Sequence, residues 1–188
     1  MSLKVTFELA DADLDHFRRV MRQARAAAKG RGADEILDAA EQVLAGVEER
    51  NVPDFIGDRL RRLRTLIDMV RDTEWALPDE EKGRVLNALG YFAEAEDLIP
   101  DVVPGLGFLD DAIMVELVVR ELRHEIEAYQ DFCSFRASRD SADADPDARL
   151  EWLTARRQAL QSRMRNRRRK DRGRRRVRSS GRSPFSLF

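Results

Sequence analysis

The chain has 188 residues, 43% of them apolar, enough for one ordinary domain plus an appendage. Charged residues reach 37%, against about 25% in typical domains, while aromatics stay at 7%, which favours long helices with ion-paired outer faces over a sheet protein. A single cysteine, Cys133, excludes an intramolecular disulfide and a cysteine metal cluster, and the N-terminus lacks the long apolar core of a secretory signal, so a cytoplasmic protein is expected.

Residues Lys4 to Leu9 alternate, with Val5, Phe7 and Leu9 on one side, which predicts a short half-buried strand or an extended arm. No second strand is predicted, so this one would pair with its own copy in a homodimer or lie over the helices. A helix is predicted from Asp11 or Asp13 to about Lys29, ended by Gly30 and Gly32. Asp34 reads as the N-cap of a second, which stops before Pro53. A third begins at Asp54, with Ile56, Leu60, Leu63, Ile67 and Val70 at alternating steps of four and three, as in helix bundles. Pro78 and the acids Asp79, Glu80 and Glu81 suit the first turn of a fourth.

A long helix is predicted from Leu109 or Asp110 to about Arg136, with Ile113, Leu117, Val118, Leu122, Ile126, Tyr129 and Cys133 facing inward. Its part from Ala112 to Val119 is apolar nearly all round, broken by Glu116, which predicts a central helix too short to span a membrane. The predicted architecture is therefore all-α, with about five to six helices in all: a helical bundle domain over residues 1–137, an acidic linker over 138–145, a C-terminal helix over 146–170 and a disordered basic tail over 171–188.

Between the fourth helix and the long one lies Tyr91 to Ala112, with two prolines, two glycines and four aspartates among large apolar residues. Loops are usually polar because buried backbone must find partners, so an apolar loop rich in Asp implies capping carboxylates or ligand binding. The residues Gly90-Tyr91-Phe92, Asp97-Leu98-Ile99-Pro100-Asp101, Pro104-Gly105-Leu106-Gly107 and Asp110-Asp111-Ala112 resemble the signature of the YkvA-like domain family, bacterial domains of unknown function. The resemblance covers about Pro78 to Leu122, with Ala95 standing where family members usually carry proline. It implies a small helical unit, membrane-associated in some members, with no established activity.

In the structural reading Asp97 and Asp101 cap turns, Asp110 and Asp111 sit at a helix N-terminus, Pro100 and Pro104 fix chain direction, and Gly105 and Gly107 supply positive φ or close approach. In the ligand reading Asp97, Asp101, Asp110 and Asp111 converge on a divalent cation such as Mg²⁺, Mn²⁺ or Ca²⁺, with Glu94, Glu96 or Glu116 adding oxygens, as a metal-binding regulator or hydrolase would need. No nucleophile, zinc motif or phosphate-binding glycine loop accompanies them, and His16, His124 and Cys133 stand apart. A non-enzymatic interaction or scaffold protein is the expected class, without a cofactor.

The net charge of -1 conceals a division. Arg163, Arg165, Arg167, Arg168, Arg169, Lys170, Arg172, Arg174, Arg175, Arg176, Arg178 and Arg182 face only Asp171, so this segment carries +11 and the remainder -12. Guanidinium groups match phosphate geometry, which points to nucleic acid or an anionic lipid surface as partner, or to a tail folded back on the acidic body. Recognition would be electrostatic and sequence-independent.

Overall fold

Apolar residues three and four apart produce helices through nearly all of the chain described by the computed structural model, which comprises residues 8–49, 52–93, 108–139 and 145–180, with side chains described for 8–46, 52–93, 108–139 and 145–173. Among the described residues there are seven α-helices: α1 (Asp11–Ala27), α2 (Ala33–Glu49), α3 (Asp54–Arg71), α4 (Asp79–Leu89), α5 (Leu109–Glu121), α6 (Arg123–Arg139) and α7 (Pro146–Ser180). A 3-10 turn, Gly90–Ala93, follows α4. Two compact units result, one from the residues up to Arg71 with Leu77–Glu121, the other from Asp72–Ala76 with the residues from Leu122 onward.

The first unit is a bundle with α3 at its heart, packed on α2 and α5. Ile56, Leu60, Leu63 and Ile67 of α3 are at most 1% exposed, so the four-and-three spacing does mark a bundle face. Burying one such side chain contributes about 2 kcal/mol. The entry to α5 is set by Phe108, buried at positive φ (+65°), whose ring tip would lie 3.2 Å from a Cβ on Gly46. Gly46, in the last turn of α2, is therefore the room that this ring occupies. At the other end of the chain, Asp13 accepts the Ala10 backbone N–H at 2.9 Å and closes the first turn of α1.

In the second unit α6 packs against α7, and the turn Asp72–Ala76 completes it. Trp75 is fully buried, its ring 5.2 Å from that of Phe132 and 5.8 Å from that of Tyr129. Leu153, Leu160 and Met164 form the buried stripe of α7, and Gln161 donates to the Trp75 carbonyl at 3.0 Å.

Two expectations need correction, and a third falls mostly outside the described residues. The single long helix predicted from Leu109 to Arg136 is two helices, bent at the buried Leu122, which brings the count to seven. The apolar spacing Val118, Leu122, Tyr129, Phe132 runs through the bend, and no proline or glycine marks it. The break coincides with the division into units, α5 belonging to the first and α6 to the second. Inward positions shift accordingly, with Met114 and Val115 buried in place of Ile113 and Leu117, and Glu125 in place of Ile126.

The C-terminal helix does not stop at residue 170 but continues to Ser180, into the segment expected to be disordered, and residues 181–188 lie outside the described residues. Contacts to α6 reach Asp171, so helix order is supported beyond the expected end. The N-terminal strand and the homodimer through Lys4 to Leu9 fall mostly outside the described residues; Glu8, Leu9 and Ala10 form no strand. Gly173 sits in open space within α7. Gly173→Ala should therefore stabilise the helix end by about 1 kcal/mol, read as slower amide exchange around residues 174–180.

Candidate functional site

The acidic turn of the second unit organises a dense polar network. Asp72 accepts the backbone N–H groups of Glu74 (2.9 Å) and Trp75 (3.0 Å), the Tyr129 hydroxyl (3.2 Å) and an Arg136 nitrogen (2.8 Å). Glu74 accepts Arg136 at 2.9 Å and Arg149 at 2.6 Å, and its carbonyl accepts Arg157 at 3.1 Å. Burial pushes the Asp72 carboxyl up, but the Trp75 N–H, the Arg136 guanidinium and the Tyr129 hydroxyl outweigh it and hold the group below its usual 3.8. The contribution to stability is therefore complete above pH 3.8 and lost as pH falls through the lower folded value. Asp72→Asn should cost about 2 kcal/mol at neutral pH, and the gap to the parent in urea midpoint should shrink on acidification toward pH ~3.

The basic segment divides into paired and unpaired sets along α7. Arg163 reaches Asp131 at 2.5 Å, Arg167 reaches Glu127 at 3.1 Å, and Arg168 reaches the fully buried Glu125 at 3.3 Å. Asp171, the one acid of the segment, turns to α6, where it meets Arg123 and His124 (2.8 Å). His124, then Arg123, hold that carboxyl below the usual carboxylate range. Folding back on acids of α6 is thus realised for part of the segment.

Arg165, Arg169 and Arg172 make no ion pair among the described residues, nor does Lys170. The three arginines stand four and three apart and share one helix face, with Arg169 and Arg172 exposed and Arg165 half-buried. Arg174, Arg175, Arg176 and Arg178 are carried on the same helical backbone. Trp152, 40% exposed, lies five full turns before Lys170 and so on its face, about 27 Å away, and the Arg139 guanidinium stacks 5.5 Å from its ring.

The aspartates of the apolar loop are distributed unevenly. Asp110 and Asp111 are buried in the first turn of α5, where helix N–H groups and the dipole favour negative charge, and neither lacks a partner. Asp97, Asp101, Pro100, Pro104, Gly105 and Gly107 lie outside the described residues. No group of three or more metal-ligating side chains converges among the described residues. Glu116, a suggested additional ligand, instead accepts Arg120 (2.9 Å) and Arg62 (3.3 Å) and lies 3.9 Å from Arg59. His124 is committed to Asp171, and Cys133 takes a long contact from Arg136 at 3.8 Å.

The Asp72 network has one signal in the amino-acid sequence, an Asp-x-Glu-Trp stretch in a short connection, which is a turn pattern. No helix among the described residues is long and apolar enough to cross a membrane.

Comparison with known proteins finds similarity to a family of unknown function, and the family match lies within the first unit. The family described as "Protein of unknown function (DUF1232)" matches residues 81–117. "Uncharacterized membrane protein YkvA" of Bacillus subtilis (strain 168) is 31% identical over 77 residues, which cover 38% of this chain and 71% of that protein. No solved structure matches the chain.

Proposed function

Because the chain belongs to the YkvA-like family of proteins of unknown function, we propose a role from its geometry: a non-enzymatic helical docking protein whose α7 attaches to a phosphate-bearing surface, an anionic membrane leaflet. The observation that carries this reading is the unpaired stripe Arg165, Arg169 and Arg172, on a helix whose neighbouring cations are already neutralised by α6. Guanidinium groups left in water lose little hydration on meeting phosphate and bind it in bidentate fashion. Each cation near an anionic leaflet contributes about 1 kcal/mol. The relative's printed description as a membrane protein supports the same surface.

A second reading, attachment to nucleic acid, is favoured by the arginine dominance of α7 and by the absence of large apolar residues between Met164 and Gly173. Equilibrium binding of the full chain to anionic vesicles, neutral vesicles and a labelled duplex separates the two. Selective binding to anionic vesicles supports the membrane reading; binding to duplex alone would replace it with the second.

A further inference from the structure

We propose that the first unit holds a site for a single anionic phospholipid, with an acyl chain in the groove between α1, α3 and α5 and the headgroup phosphate on Arg59, Arg62 and Arg120. The groove encloses about 530 Å³ and is open to solvent. That volume lies within the range of about 300 to 1,000 Å³ typical of small-molecule sites. Leu14 of α1, Phe55 of α3 and Ile113 and Leu117 of α5 form its apolar wall. Phe55 is 47% exposed, one of three large apolar side chains left so open among the described residues. The groove also explains why α5 is apolar nearly all round: Met114, Val115 and Val118 fill the core while Ile113 and Leu117 line the opposite wall.

The polar edge fixes the chemistry of the occupant. Three guanidinium groups, at 41%, 52% and 67% side-chain exposure, share the single carboxylate of Glu116, an excess of positive charge beside an apolar wall. Exposed ion pairs of this kind are weak, so the arginines remain available to a better acceptor. A phosphate beside an acyl chain satisfies both halves at once: the chain covers the apolar wall and the oxygens take the surplus guanidinium donors. A neutral headgroup would leave the charge excess unanswered, and a free anion would leave the wall wet.

The site deepens the membrane reading yet rests on different residues from α7, so its test uses full-length protein carrying Arg165→Gln, Arg169→Gln and Arg172→Gln, with a monomeric short-chain phosphatidylglycerol as probe. Calorimetry should show saturable binding. Phe55→Asp, which keeps a favourable residue in the first turn of α3, should weaken it about tenfold. The phosphocholine analogue should bind about tenfold more weakly, and the Arg59→Gln, Arg120→Gln double variant should erase that preference. Absence of saturable binding, equal binding by Phe55→Asp, or equal binding of the neutral analogue would overturn the proposal. Binding that emerges only once residues 1–7 are removed would assign the groove to the chain's own N-terminal segment. A dimer that Phe55→Asp dissolves would assign it to a second copy. Either result overturns the lipid site while leaving α7 attachment to stand or fall by its own measurement.

Discussion

Trp75→Ala should lower the stability of the unit formed by the 72–76 turn, α6 and α7 by about 3 to 5 kcal/mol, the largest loss expected of any single truncation here. The indole is fully buried between the rings of Phe132 and Tyr129, and its backbone is held from both sides, by Asp72 through the N–H and by Gln161 through the carbonyl. Removing the ring deletes apolar burial, leaves a cavity and forfeits two tilted aromatic contacts. Trp75→Phe should recover part of the loss because a ring still bridges the two partners. Thermal melts followed by far-UV circular dichroism would check this. Trp152, distant in sequence and half-exposed, then serves as an undisturbed fluorophore. A shift of under about 1 kcal/mol would mean that the turn does not anchor this unit.

The second large effect concerns attachment. Replacing Arg165, Arg169 and Arg172 with glutamine should reduce partitioning onto anionic vesicles about 100-fold, since each cation near such a surface contributes about 1 kcal/mol. The same change should leave the melting curve nearly unaltered, because none of the three makes an ion pair among the described residues. Arg163→Gln with Arg167→Gln offers the reverse pattern. These two cations are already opposed by Asp131 and Glu127, so partitioning should fall less than about tenfold. Charge position on the helix, not the arginine total, then determines binding.

Much of the helical architecture is legible in the amino-acid sequence for a physical reason: burial selects one face, and Ile56, Leu60, Leu63 and Ile67 display it openly. Gly30, Pro53 and Pro78 mark boundaries that follow from backbone chemistry. The break at Leu122 was not legible, because the apolar period continues through it and no proline or glycine stands there. The extension of α7 past Gly173 was missed for a related reason. Composition there argues for disorder, while the helix just before it is tied down by partners 48 and 47 residues earlier in the chain, Arg123 and His124 against Asp171. The candidate surface was half legible. Its charge was plain, but which cations remain available depends on Glu125, Glu127 and Asp131, whose positions only the fold reveals. The groove gave no signal beyond the all-round apolarity of α5, which reads equally well as a central helix.

Whether α7 docks on a phosphate-bearing membrane surface through its unpaired arginines is decided by vesicle sedimentation of the full chain beside its Arg165→Gln, Arg169→Gln, Arg172→Gln variant at about 0.1 M salt, where the Debye length is about 10 Å. Binding to anionic but not neutral vesicles is expected, with an approximately 100-fold loss in the variant. Equal partitioning of the two proteins, or equal binding to neutral and anionic vesicles, would contradict it.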